Sequence, residues 1–190
     1  EVDPGDGWHA AILAPLLKDD GTYTAALVSP LASKQAADAM QSLRQTFKAH
    51  PELYGRARLA SFDPHTPNLG TPGSADMVLS FRSAHVWVAS GTAKAMFQAV
   101  FDVLKPGGVF GVVENRASKD ADAADLKGTP YLRQADVVKL AGEAGFELDA
   151  TSNVNADPED SGLSDKAPDD ADRMTLRFVK PVKPAHAASA

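Results

Sequence analysis

The stretch that decides the fold is DMVLSFRSAHVW at 76–87, answered by KPGGVFGVVE at 105–114. Met77 to Phe81 is an apolar run of strand length, and Arg82 to Trp87 reads as a polar and aromatic loop. Thr92 to Leu104 sets Met96, Phe97, Val100, Phe101 and Leu104 on one broad stripe, the spacing of an amphipathic helix. Lys105 to Gly108 is a hard turn. Val109 to Val113 is then an apolar run of the kind found in strands buried on both faces. A strand, a helix and a second apolar strand in this order form the repeating unit of a parallel sheet.

Working outward, the same alternation continues on both sides. His9 to Leu17 has a short helical pattern that Asp19-Asp20-Gly21 ends, and Tyr23 to Val28 is strand-like and stopped by Pro30. Ala36, Met40, Leu43 and Phe47 mark one face of a helix over Ser33 to His50, and Ala57 to Phe62 reads as a strand. Asp63 to Ser74 and Asn115 to Gly128 read as loops. Thr129-Pro130 reads as the N-cap and first residue of a helix that ends at Gly145. Phe146 to Val154 and Arg173 to Val179 follow as two strands, separated by the acidic stretch Asp157 to Asp172, which reads as solvated or disordered. The expected fold class is therefore α/β: a Rossmann-like, doubly wound, mostly parallel sheet with a terminal antiparallel strand pair. It spans residues 1–181, with 182–190 as a disordered tail.

Composition narrows the function classes. The chain has 190 residues, 19 Lys and Arg against 25 Asp and Glu, and no cysteine. A thiolate nucleophile, a disulfide framework and a cysteine zinc site are excluded. The acidic balance, −6 at neutral pH, argues against a large nucleic-acid surface. No apolar run approaches the ~20 residues that cross a bilayer. The five histidines stand far apart in sequence, so no metal site is expected. No nucleophile elbow and no phosphate-binding P-loop is present.

In sheets of this kind ligands sit outside the carboxyl ends of the strands, at the switch point. The loop there is Asp3-Pro4-Gly5-Asp6-Gly7-Trp8-His9-Ala10. Its Gly-x-Gly-x-x-Ala pattern suits a backbone that must turn tightly beside a nucleotide-containing cofactor. Read alone, the motif does not separate a dinucleotide from S-adenosylmethionine, and a plain glycine turn between strand and helix reads equally well.

Taken together, these segments resemble class I S-adenosylmethionine-dependent methyltransferases. The nearest match is a bacterial family of predicted methyltransferases with a Pro-Gly-x-Gly-Trp first motif, here Pro4 to Trp8. The resemblance also rests on Ile12 to Pro15, Phe81 to Trp87 (Phe-Arg-x-x-His-x-Trp), Leu104 to Val109 and Asp172 to Phe178. It implies S-adenosylmethionine as cofactor and Glu1 as the acidic end of the first strand. Gly5 and Gly7 would lie beside the methionine part, Asp63 near the adenine, and Ser80, Phe81 and Arg82 before cofactor and substrate. Asp3 stands where a first glycine is usual. The second strand ends Val28-Ser29-Pro30, so Ser29 takes the place of the acidic residue that commonly grips the ribose. Asn115 stands where the resemblance leads one to expect a histidine, which removes one possible acid/base group.

Methyl transfer needs position and electrostatics from the protein, and a base only if the nucleophile must lose a proton. Imidazole is the side chain suited to that near neutral pH, and His85 is the candidate base. Glu114, at the end of a buried strand, is the second catalytic candidate. Trp8 and Trp87 are candidates for stacking on cofactor or substrate, and Arg82 and Arg116 for holding an acidic group. Tyr131 is a candidate for the pocket lining. Each has a plainer reading: a capping histidine, a packed tryptophan, a surface ion pair.

Two other functions remain open on the sequence. A nicotinamide-dependent oxidoreductase fits the glycine motif but lacks the acidic residue about 20 positions on. A non-catalytic binding protein on the same fold fits the weak ribose end. The partner expected is a small molecule, without nucleic acid or membrane. The oligomeric state is open, a homodimer included. Cytoplasm is the expected location, with export not ruled out. Finally, Glu1-Val2 reads as the last two residues of a central strand, so one strand and preceding helices are expected upstream. A simple geometric condition follows: if Gly5, Asp63 and Arg82 do not converge on one cleft, the cofactor assignment made through them fails.

Overall fold

A computed structural model describes residues 1–163 and 169–182. Among these residues the elements are, in order, α1 (Ala10–Leu17), β1 (Thr24–Val28), α2 (Lys34–Ala49), α3 (Pro51–Tyr54), β2 (Arg58–Phe62), β3 (Ala75–Phe81), α4 (Ala84–Ala89), α5 (Ala93–Val103), β4 (Leu104–Asn115), α6 (Gln134–Ala144), β5 (Glu147–Ser152) and β6 (Arg173–Val179). β2 pairs with β1, and β3, β4, β6 and β5 lie side by side in that order.

Val2 joins the two groups. It bridges Ala26 of β1 and Ser80 of β3, both in parallel. Its N–H donates to Leu79 O at 2.9 Å, while Asp3 N donates to Ala26 O and Ala26 N to Glu1 O. The strand order across the sheet is thus β2, β1, Val2, β3, β4, β6, β5, with only β6 reversed. β5 and β6 form the expected antiparallel pair, and β6 is inserted between β4 and β5. The chain turns from one direction of strand addition to the other at Val2, which is the switch point.

Side chains of β1 alternate across the sheet and feed two cores. Ala25 and Leu27 pack with Met40, Leu43 and Tyr54 beneath α1, α2 and α3. Ala26 faces the larger core, where Met96, Phe97 and Val100 of α5 meet Phe110, Val112, Leu176 and Phe178. Helices therefore cover both faces, as the alternation implies.

Three local expectations are corrected. Arg82 to Trp87 is not a loop: residues from Ala84 onward form α4, whose first-turn N–H at His85 is taken by the Glu114 carboxylate. Lys105 to Gly108 does not separate α5 from β4. It is an irregularity within β4, where the pairing jumps from Leu104 opposite Ala75 to Val109 opposite Met77, with Gly107 at φ +80°. Thr129-Pro130 does not start α6, because Leu132 is drawn into a parallel bridge with Arg116 and the helix begins only at Gln134. The expected tail largely lies outside the described residues. Among those described, no helix is long and apolar enough to cross a membrane.

Candidate active site

A cleft of about 550 Å³ opens at the carboxyl edge of the sheet, over the switch point. That size is ordinary for a small-molecule site. Glu1, Asp3, Pro4, Gly5, Asp6, Trp8 and His9 form one side. Phe81, Arg82, Ser83, Val113, Asn155 and Arg173 complete it.

The loop after Val2 is held in shapes that few residues tolerate. Asp3 has φ +51°, Gly5 +58° and Gly7 +87°. Asp is among the few side chains that visit this region readily, which explains why it can replace a glycine here. At Gly7 a Cβ would lie 2.4 Å from Leu43 Cδ1, so this glycine lets the loop close on α2 and does not itself line the cleft. Asp3 Oδ2 accepts from Trp87 Nε1 at 3.1 Å. Burial pushes the Asp3 carboxyl above its ordinary value, and the Trp87 hydrogen bond opposes part of that rise.

Glu1 ends the central strand with its carboxylate 1% exposed. Tyr23 Oη donates to its Oε2, and His9 Nδ1 lies 3.3 Å from its Oε1. That Oε1 is buried and lacks a properly directed donor among the described residues. Burial, and then the Glu1 carboxylate, push the Tyr23 hydroxyl far above its ordinary range, so it remains a donor. The His9 ring stacks on Phe81 at 3.7 Å between centroids, with Trp8 edge-on behind it at 4.8 Å. Sequence reasoning named Trp8 and passed over His9; the signal available was its place at the end of the glycine loop.

A second histidine and carboxylate stand one strand further on. Glu114, wholly buried at the end of β4, takes His85 Nδ1 at 3.1 Å and Asn115 N at 2.9 Å on Oε1, and His85 N at 3.1 Å on Oε2. The His85 ring is thereby fixed by Nδ1, which leaves Nε2 as its proton acceptor. Asn115 uses its amide on Pro130 O at 3.2 Å and supplies structure in place of an ionisable group.

The sequence-derived candidates divide clearly. Glu1, Asp3, Gly5, Trp8, Phe81 and Arg82 line the cleft, with Gly7 packed behind and Ser80 buried beneath, its Oγ without a partner among the described residues. His85 and Glu114 are not among its lining residues, although Ser83 and Val113, close to them in the chain, are. Ser29 and Asp63 do not line it. Ser29 Oγ accepts from Leu31 N, and the exposed Asp63 accepts from His65 N. The convergence asked of Gly5, Asp63 and Arg82 is met by the first and last only.

The three substrate-binding candidates lie elsewhere. Trp87 is 2% exposed and packs on Phe97, so it acts on the site only by holding Asp3. Arg116 is forked by Asp172 at 2.8 Å and lines a separate hollow. Tyr131 is wholly buried, donates to Asp160 Oδ2 at 2.9 Å, and burial pushes its hydroxyl up to about 12. Asp160 and Asp172 thus fix part of an acidic stretch expected to be free. No cluster of residues suited to hold a metal occurs among the described residues.

No family model and no curated sequence matches the chain. Solved structures do. A SAM-dependent methyltransferase from Methanosarcina mazei is 16% identical, with 96% of this chain matching 91% of it at a TM-score of 0.64. The [4+2]-cyclase SpnF is 19% identical, covering 95% of this chain and 73% of its own at 0.67. An O-methyltransferase from neocarzinostatin biosynthesis, crystallised with S-adenosyl-L-homocysteine and 1,4-dihydroxy-2-naphthoic acid, is 17% identical, covering 96% and 48% at 0.62. At these identities the likeness establishes the fold: α/β, Rossmann-like, with the sheet of class I methyltransferases. SpnF is a reminder that this fold also carries other chemistry.

Proposed function

We propose that the protein is an S-adenosylmethionine-dependent methyltransferase acting on a small molecule, of the bacterial Pro-Gly-x-Gly-Trp type its motifs resemble. The observation that carries the proposal is Glu1 Oε1, a buried carboxylate oxygen without a directed donor, beside a left-handed glycine loop at the switch point. An acceptor of this kind suits the ammonium group at the methionine end of the cofactor, since leaving it bare costs about 1–3 kcal/mol or more. The fit is weaker at the ribose and adenine ends, where neither Ser29 nor Asp63 lines the cleft. When bound, the cofactor supplies an activated methyl group for in-line transfer to a nucleophile.

The chain's own residues orient and exclude. Asp3, Gly5 and Gly7 shape the backbone against the cofactor. Phe81, with His9 stacked on it, forms an apolar wall that keeps water from the reacting centre. Glu114 fixes His85 through Nδ1, so that Nε2 takes the proton of an acceptor hydroxyl or amine; general base help of this kind contributes about 10²–10⁴-fold.

Calorimetric titration with S-adenosylmethionine, S-adenosylhomocysteine and NADH tests the proposal. Binding of the first two with one site per chain, and none of NADH, is expected. Binding of NADH alone would transfer support to an oxidoreductase.

A further inference from the structure

The cleft holds two arginines, and the residues opposite them on the glycine loop are acids. Arg82 follows β3, and Arg173 opens β6. β6 runs antiparallel to β4, with Arg173 opposite Asn115, so the start of β6 comes to the same edge of the sheet as the end of β3. Two strand spacings, about 10 Å, separate their backbones. The strand between them is β4, which ends in Glu114, the residue that fixes His85.

Neither guanidinium has a carboxylate partner among the described residues; Arg44, Arg56 and Arg58 also lack one but do not line the cleft, while Arg116, Arg133 and Arg177 are each paired with an aspartate. Arg173 reaches only a backbone oxygen, Asp169 O at 2.6 Å, and its buried Nε has no acceptor among the described residues. Its backbone is pinned by donation to Asn155 O at 3.0 Å, and Asn155 Nδ2 is tied to Thr175 Oγ1 at 3.0 Å. Arg82 sits at φ +57° in the left-handed region, a conformation that costs a non-glycine residue about 1 kcal/mol or more. Such strain is retained where a side chain must be aimed. Glu1, Asp3 and Asp6, the acids of the cleft, all belong to the loop on the other side of Phe81. The cleft is therefore polarised: acidic towards the glycine loop, with Arg82 after β3 and Arg173 at the start of β6 on the other side.

We infer that the small molecule taken by this site, as distinct from the cofactor, carries a carboxylate seated between Arg82 and Arg173. Guanidinium forks match carboxylates in geometry as well as charge. Seating the anion there sets the rest of the molecule against the Phe81 and His9 rings. The inference rests on the proposed function for the identity of the bound molecule as a methyl acceptor; the anion site stands on the arginines.

The test follows the arginine Nε–H signals of ¹⁵N-labelled protein by NMR while benzoate, benzamide or inorganic phosphate is added. Benzoate is expected to shift the Arg82 and Arg173 signals saturably and to leave exposed Arg44 in place, with benzamide at least tenfold weaker. Arg173→Gln should weaken benzoate at least tenfold, and Arg173→Lys less. Equal response to benzoate and benzamide, movement of Arg44 alongside the others, or saturation by phosphate alone would overturn the carboxylate assignment. S-adenosylhomocysteine added to the same sample is read through the Gly5 and Gly7 amides, and it is expected to leave the benzoate response of Arg82 and Arg173 in place; displacement of benzoate from both arginines would assign them to the cofactor's own carboxylate and overturn the inference. If those amides do not move, the cofactor reading fails and the benzoate result still decides the anion site.

Discussion

Two histidine–carboxylate pairs stand at the carboxyl edge of the sheet, and they are built differently. In each, a buried glutamate ends a strand and a partly exposed imidazole sits at the start of the next helix. Glu114 is saturated: its two oxygens take three N–H groups, one of which starts α4. Glu1 is not: it takes Tyr23 Oη, lies within reach of His9, and keeps one oxygen without a directed donor. A buried carboxylate with both oxygens engaged fixes its neighbours and presents no bare oxygen to a ligand. An unsaturated one in a cleft has been left open for something. The first pair is suited to hold a base steady, the second to receive a cation.

The largest effect should come from removing the saturated carboxylate. Glu114→Ala leaves three donors unpaired in the core and is expected to cost about 3 kcal/mol in urea unfolding. Glu1→Ala should cost about half as much, since it removes one strong partner and relieves burial of a charge. Equal losses would erase the distinction between the pairs.

Next comes Trp87→Phe, which keeps the ring and removes the hydrogen bond to Asp3. A loss of about 1 kcal/mol is expected, together with a further rise of the Asp3 titration seen by NMR. An unchanged Asp3 titration would show that burial alone sets it.

The pH dependence of stability sharpens the same contrast. Asp3 titrates above its ordinary value, so its contribution is present below about pH 3.8 and is lost as pH rises through the raised value. Asp3→Asn, which keeps an acceptor and tolerates the left-handed backbone, should therefore raise the neutral-pH melting midpoint and flatten that part of the profile. Asp172 behaves oppositely. Arg116 holds it below its ordinary value, so its contribution is present above about pH 3.8 and is lost as pH falls through the lowered value. Arg116→Gln should remove that acid dependence and have the smallest effect of the set at neutral pH.

Much of this was legible in the chain. The alternation of apolar runs with 3.6-residue stripes specifies the layered sheet, because each pattern answers to one period. The glycine loop was legible because Gly5 and Gly7 need backbone shapes closed to most residues. What was hidden depends on distant partners. Nothing near Trp87 in sequence says that its indole holds Asp3, nor that Asp172 forks Arg116 and takes it out of the site. Arg173 read as the first residue of a terminal strand, and only the pairing of β6 beside β4 brings it to the cleft. His85 looked like a loop residue because α4 draws its first hydrogen bond from Glu114, 29 positions away.

The most direct measurement is calorimetric titration of S-adenosylhomocysteine into the wild type, His9→Ala and His85→Ala. The expected result is one site per chain, an affinity at least tenfold weaker in His9→Ala, and one within about twofold of wild type in His85→Ala. Failure of the wild type to bind, or a loss confined to His85→Ala, would contradict the assignment of the open pair to the cofactor.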